Sequence, residues 1–191
     1  GHEVVGTIIE IGDGVTKFKV GDRAGITPLL EACQKCQYCL DGKEYLCESS
    51  VITGESFKGG YTEFITVHEN FATLIPNTMK AEYAAPLFCA GITAYKAVKA
   101  AEPKQHKKIG IFGIGGVGHM AIQFAKVENC DVIAFSRTQN HLDVAKRLGA
   151  DDAIKFLENQ EEFLKILKEK HGTLDAAIVF APADIVTDTA I

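Results

Sequence analysis

No run of eighteen apolar residues occurs anywhere in the 191-residue sequence, so no stretch has the length and hydrophobicity of a membrane-spanning helix. An excess of basic residues is missing too. Twenty Lys and Arg stand against 25 Asp and Glu, a formal net charge of -5, which argues against nucleic acid or an anionic lipid surface as partner. Where lysines cluster, at Lys104, Lys107 and Lys108, the stretch reads as a solvated loop ahead of a strand. Internal repeats and low-complexity tracts are absent, which leaves no reason to expect a solenoid or a disordered tail. No charged, apolar, small-residue leader precedes Gly1-His2-Glu3, so a reducing, cytoplasmic setting is expected. What remains is 47% apolar and 24% charged residues, the composition of a soluble chain of one or two domains.

Against that ordinary background, four cysteines fall within fifteen residues. Cys33, Cys36, Cys39 and Cys47 are spaced C-x2-C-x2-C-x7-C. Three thiolates at every third position of a tight turn, with a fourth returning after a short loop, can reach the corners of one tetrahedron around Zn²⁺. Two disulfides are the bland alternative, disfavoured by the expected compartment. An iron-sulfur cluster is the sharper rival, because C-x2-C-x2-C opens the bacterial ferredoxin run. There the fourth cysteine follows after three residues and precedes proline, whereas Cys47 follows after seven and precedes Glu48. A closed structural zinc site over residues 31–48 is the favoured reading.

The two halves of the chain differ in rhythm. Val4 to Ile11 is apolar and β-branched, and Gly12-Asp13-Gly14 supplies a turn. A second turn at 18–23 leads into another apolar run, and Gly59-Gly60 precedes an expected strand from Tyr61 to Val67. After Pro86, apolar residues recur at helical spacing through Val98. Strands are then predicted at 108–112, 131–135 and 175–180, and helices at about 116–127, 139–148 and 160–170. Asn159 is placed as N-cap of the last helix and Gly172 just past its end. Such βαβ alternation predicts an α/β fold with a parallel sheet covered on both faces, preceded by a β-rich domain. The division is expected at residues 1–92 and 93–191.

Within that alternation lies G-I-G-G-V-G, Gly113 to Gly118. Alone the pattern is weak, but here it follows a strand and opens a helix, the context dinucleotide binding requires. Gly113 permits the tight turn, Gly115 removes a Cβ that would block a pyrophosphate, and Gly118 lets the helix approach the sheet. The candidate cofactor residues are therefore Gly113, Gly115, Gly116, Val117 and Gly118. At the end of the second strand the carboxylate typical of NAD sites is absent, and Ser136-Arg137 stands there instead. A hydroxyl and a guanidinium suit a 2′-phosphate, so NADP(H) is expected over NAD(H). A surface arginine with a cofactor site tolerant of both nucleotides is the alternative. His141, nearby, is only partly protonated at neutral pH and attracts phosphate less than a lysine would.

G-H-E at the start, the four-cysteine lobe, APLFCAGITAYKA and the GIGGVG turn together resemble the zinc-dependent alcohol dehydrogenases of the medium-chain dehydrogenase/reductase superfamily, nearest the yeast-type and cinnamyl alcohol dehydrogenase branches. The resemblance runs from Gly1 to about Ala181. It implies a partial GroES-like catalytic domain followed by a partial Rossmann domain, a doubly wound parallel sheet. By the same resemblance His2 and Cys89 bind a catalytic zinc, with Glu3 behind it as a residue that tunes charge or exchanges as a ligand. Thr93 contacts the nicotinamide ring and Val117 packs against it. The implied reaction is metal-assisted hydride transfer between a small alcohol or aldehyde and NADP(H), in a protein that is a homo-oligomer at full length.

One member of the family's set is not in this sequence. A cysteine upstream of GHE, beside a Thr or Ser that relays a proton, completes the catalytic zinc site in relatives. The chain accordingly reads as an internal fragment with little activity of its own. A non-catalytic module that binds zinc and a dinucleotide stays open beside the enzyme. Cys130 reads as a structural thiol.

Overall fold

The structure, a computed structural model, describes residues 1–56, 58–157 and 159–190. It separates into two compact units, Gly1–Cys89 and Ala90–Ile191. Among the described residues no helix is long and apolar enough to cross a membrane.

The first unit is built of short strands. β1 (Val4–Thr7), β2 (Arg23–Ile26) and β5 (Ala72–Leu74) form an antiparallel sheet in the order β1-β2-β5, and β3 (Leu29–Glu31) pairs with β4 (Val51–Ile52). Between β3 and β4 stands the cysteine lobe, which carries the short helix α1 (Gln37–Leu40) and a 3-10 turn at Glu44–Leu46. α2 (Ala81–Pro86) closes the unit by packing on β1. Its small core joins Ile75, Ala84 and Phe88.

Two expectations for this unit are corrected. The first strand stops at Thr7, because beyond the Ile8 pairings with Gly21 and Asp22 the chain turns and leaves Ile9 and Ile11 exposed. No strand forms at 61–67. A strand exists through a ladder with a neighbour; this stretch has none, and Tyr61 and Phe64 point outward at 95% and 70% exposure.

In the second unit, α3 (Ile92–Ala100) precedes an all-parallel sheet of β6 (Lys108–Phe112), β7 (Asp131–Ser136), β8 (Asp152–Lys155) and β9 (Ala176–Val179), interleaved with α4 (Gly118–Val127), α5 (Gln139–Arg147) and α6 (Gln160–His171). α7 (Asp184–Ala190) follows β9. The order β8-β7-β6-β9 means the chain works outward from β6 in one direction, then crosses to its other side. That reversal opens a crevice at the carboxyl ends of the strands.

Alternation along each strand sorts the side chains to two faces. Ile109, Ile111, Val132 and Ala134 pack with Ala121, Ile122 and Ala125 of α4, Ala94 and Val98 of α3 and Ala145 of α5. Phe112, Ile133 and Phe135 pack on the opposite face with Phe163 and Leu167 of α6 and Val186 of α7. Each fully buried aliphatic or aromatic residue of this set contributes about 1.5–3 kcal/mol. Phe112 and Phe135 stack with centroids 4.3 Å apart, and Phe163 meets Phe135 edge-on at 5.5 Å.

α6 begins as expected, with Asn159 Oδ1 accepting the Glu162 N–H, and ends at Gly172, φ +72°. α4 starts at Gly118 rather than Gly116, since Gly116 and Val117 belong to the turn. β8 was not expected, being four residues long and opening on the pair Asp151-Asp152. Its anchor is Asp152, which receives Lys170 at 2.6 Å, His171 at 2.7 Å and Lys146 at 3.2 Å. Burial pushes this carboxyl up, but hydrogen bonds from Lys170, His171, the Ala153 N–H and Lys146 outweigh it and hold the group well below the usual carboxylate range.

A carboxyl depressed in this way adds stability above its unfolded value of about 3.9, and that stability drains away as pH falls below it. Asp152→Asn is therefore expected to cost about 2–3 kcal/mol at pH 7, since it strands two lysine ammonium groups and the His171 ring around a half-buried amide. The deficit in urea midpoint against the parent should shrink as the titration is carried from pH 5 towards pH 3. A deficit that stays constant over that range would remove the ion cluster from the account.

Candidate functional site

The cysteine lobe assembles from turns rather than from regular structure. β3 delivers Cys33, Gln34 bends the chain at φ +59°, Cys36 stands at the N-cap of α1, and Cys39 lies inside it. Gly42, at φ +70°, reverses the chain so that Cys47 can return. The four sulfurs lie within 4.8 Å of one another. Cys33 Sγ is 3.9 Å and Cys36 Sγ 3.6 Å from Cys39 Sγ, against the ~3.8 Å between corners of a tetrahedron whose metal–sulfur bonds are about 2.3 Å. All four are free thiols, far outside the ~2.05 Å of a disulfide bond.

The donors fit one tetrahedral zinc, and the electrostatics explain why they need one. The Lys35 and Cys36 amides hold the Cys33 thiol down at about 6, while burial and the neighbouring Cys36 sulfur push Cys39 up to about 12. Without a cation Cys39 holds its proton; a divalent ion at the centre favours four thiolates. A polar chain moors the lobe. Gln34 accepts from the Asn70 amide, Asn70 accepts from Lys17, and the Glu69 carboxylate accepts the Thr16 and Lys17 N–H groups at 3.0 and 2.9 Å.

The second cluster joins the two ends of the first unit. His2 Nε2 lies 3.2 Å from Cys89 Sγ, although 87 residues separate them. Two corners of a zinc tetrahedron with one nitrogen and one sulfur ligand stand about 3.6 Å apart, so the pair fits a shared ion with a few tenths of an ångström of adjustment. Sequence dictates how each arrives. The Gly60 N–H donates to Gly1 O at 2.7 Å, and a Cβ on Gly59 would stand 2.7 Å from that same oxygen, so the glycine pair lets the chain carrying His2 lie close.

At the other end the expected helix after Pro86 is interrupted. Cys89 is extended, φ -162° and ψ 121°, within the π-helical stretch Leu87–Gly91, and α3 starts only at Ile92. Its neighbour Phe88 is buried over Gly25 of β2, where a Cβ would sit 2.0 Å from the ring. Burial pushes the Cys89 thiol up, and the Glu3 charge adds to the shift. Glu3 itself is exposed.

In the second unit the glycine turn does what its residues predict. Gly113 has φ +95°, and a Cβ there would lie 2.9 Å from the Ala181 nitrogen; one on Gly118 would lie 2.0 Å from Gly113 O. Gly115 and Gly116 face open space, which is the room a pyrophosphate needs beside the first amides of α4. The crevice at the strand-order reversal has a volume of about 240 Å³, with Phe112 and Phe135 below and Gly113, Gly115, Ser136, Arg137, Thr138 and His141 around it.

These residues fit a dinucleotide. Thr138 was missed from sequence, although the residue after a strand's carboxyl end is a natural lining position; its N–H reaches Ser136 Oγ at 3.5 Å. Val117 is half-buried against the core, and Thr93 is exposed on the first turn of α3.

Two stretches of the chain match known families. Residues 1–77 match the alcohol dehydrogenase GroES-like domain and residues 116–191 the zinc-binding dehydrogenases. The chain belongs to the zinc-type alcohol dehydrogenases of the medium-chain dehydrogenase/reductase superfamily. It is 44% identical over 181 residues to an alcohol dehydrogenase of Geobacillus stearothermophilus, covering 95% of this chain and 53% of that one.

Among solved structures it resembles a cinnamyl alcohol dehydrogenase from Sorghum bicolor, with 35% identity, a TM-score of 0.85 and coverage of 96% of this chain and 54% of the other. The Helicobacter pylori enzyme of the same kind, complexed with NADP(H), is 31% identical with a TM-score of 0.84, covering 96% and 52%. The chain thus spans about half the length of the relatives it matches. The GroES-like and Rossmann architecture expected from the sequence is the one observed.

Proposed function

We propose that the chain forms the metal-binding and cofactor-binding part of a zinc-dependent alcohol dehydrogenase or aldehyde reductase, which exchanges hydride between a small alcohol or aldehyde and NADP(H). The observation that carries this reading is the approach of His2 Nε2 to Cys89 Sγ at 3.2 Å across 87 residues, beside a separate four-sulfur cluster already complete for a structural ion. A zinc ion at the first pair supplies Lewis acidity toward the substrate oxygen, and the nicotinamide supplies or accepts the hydride.

His2 and Cys89 orient that ion, with Glu3 close enough to Cys89 to raise its thiol electrostatically. Thr93 and Val117 position the nicotinamide, while Gly113, Gly115, Gly116 and Gly118 admit the pyrophosphate. Ser136 and Arg137, in a crevice whose described lining includes no carboxylate, favour NADP(H). In the same reading the full-length protein is a cytoplasmic homo-oligomer without nucleic acid or membrane partners.

Zinc content and NADPH-dependent aldehyde reduction test the reading. The full-length protein is expected to hold two zinc ions per chain. His2→Ala and Cys89→Ser should each lose one and reduce kcat/KM by more than about a hundredfold, with the fold intact by circular dichroism. Two zinc ions retained in both variants would sink the assignment.

A further inference from the structure

Ser136 and His141 form a pair that the cofactor reading alone does not use. Ser136 Oγ stands 3.3 Å from His141 Nδ1 and accepts the Thr138 N–H at 3.5 Å. Both side chains line the crevice beside Arg137. We propose that His141 is a proton-dependent specificity residue, whose protonated form frees the Ser136 hydroxyl, beside Arg137, to bind the 2′-phosphate of the dinucleotide. The proposal rests on the NADP(H) reading of this crevice.

The physical chemistry lies in how one hydroxyl can be shared. A serine hydroxyl has a single proton to give and two lone pairs to receive. While the imidazole is neutral with Nδ1 as acceptor, the Ser136 hydroxyl donates to it, and the crevice gains no donor. When His141 takes a proton from solvent, its Nδ1–H donates to Ser136 Oγ. That oxygen then accepts from both Thr138 and His141, and its own proton is released to donate to an anion. One protonation therefore adds a positive charge beside Arg137 and frees a buried donor, since Ser136 is 7% exposed. Histidine is the side chain that changes charge between about pH 8 and 5.

Among the described residues lining the crevice, none is a carboxylate that competes for this pair. α5 packs against β7, β8 and α4. Asp131 and Asp152 lie at or near the amino ends of β7 and β8, paired with His106 and with the cluster of Lys146, Lys170 and His171. On α4, Lys126 is held by Asp151, and His119 Nδ1 is 3.0 Å from the Gly115 carbonyl. On α5 itself, Asp143 accepts from Gln139, and Arg147 lies in the last turn. At the carboxyl end, Lys155 pairs in register with Ser136, and in-register parallel neighbours share a face. Among the described residues next to Ser136 at that end, Arg137 and Lys155 are both cations.

Dissociation constants of NADP⁺ and NAD⁺, measured by calorimetry between pH 8.0 and 6.5 on the full-length protein, test this. Across this window a phosphate monoester, whose second ionisation lies near pH 6, loses at most about a quarter of its second charge, and that loss weakens binding as pH falls, opposite to the trend expected from His141. The preference for NADP⁺ is expected to rise about threefold to tenfold from pH 8.0 to 6.5, with net proton uptake that NAD⁺ binding lacks. His141→Gln should flatten the profile at the alkaline value, and His141→Lys should raise it throughout. A flat parental profile with NADP⁺ still preferred overturns the role of His141 and spares the cofactor reading. A slope that survives in His141→Gln also overturns it. No preference for NADP⁺ at any pH overturns both.

Discussion

Cys47→Ser removes one zinc per chain and opens residues 31–48 to proteases, while leaving the second unit folded. Cys47 is the most enclosed of the four ligands at 4% exposure. Apart from the polar tether at Gln34, the loop around it has little else to hold it: α1 has four residues and buries none, and the adjoining 3-10 turn likewise buries none. Tyr38, Leu40, Tyr45 and Leu46 are all exposed, so apolar burial cannot substitute for the metal. Structural zinc sites release about 10–16 kcal/mol on binding, energy that goes into ordering the chain. With one thiolate replaced by a hydroxyl, a weak zinc ligand, most of that contribution disappears. Metal analysis should read a loss of one ion, and limited proteolysis should produce a new cleavage between residues 31 and 48. Unchanged zinc content with an unchanged digestion pattern would mean that the four sulfurs do not hold a metal.

The second large effect separates folding from binding within one turn. In Gly118→Ala the added methyl would stand 2.0 Å from the Gly113 carbonyl oxygen, backbone that no side-chain rotation can relieve. Displacing α4 from β6 to make room is expected to cost about 3 kcal/mol or more and to reduce dinucleotide affinity by more than about a hundredfold, since the first amides of α4 are re-aimed. Gly115→Ala is the contrast. Nothing lies within 4 Å of its Cβ position, so thermal stability should change by less than about 1 kcal/mol, whereas nucleotide affinity should fall because that is the space proposed for the pyrophosphate. Melting temperatures and fluorescence titration with NADPH read the two quantities separately. A Gly115→Ala protein that binds NADPH as tightly as the parent would place the phosphates elsewhere.

Signals that were local in sequence proved legible. The cysteine spacing anticipates the four-sulfur cluster, and the strand, glycine turn and helix at 108–127 stand where the motif predicts, apart from a two-residue shift at Gly116. Non-local features were harder to read. Nothing in the composition of the first ninety residues links His2 to Cys89; family resemblance named them, and only the fold brings the atoms together. The expected strand at 61–67 failed because a pattern of apolar side chains does not supply a hydrogen-bonding partner. β8 escaped notice for the opposite reason, because its partner β7 and the cations gathered at Asp152 stabilise four residues that look unremarkable alone. The Ser136–His141 contact was invisible as well, since a strand end and a helix start become neighbours only through the turn between them.

The contact between Gly25 and Phe88 carries one more implication. The absence of a single methyl in β2 sets the depth to which an aromatic ring sinks, and the next residue along is the sulfur proposed as a ligand of the catalytic ion. If that proposal holds, affinity for the ion is open to retuning from sixty-four positions away, by bulk alone, without touching a ligand.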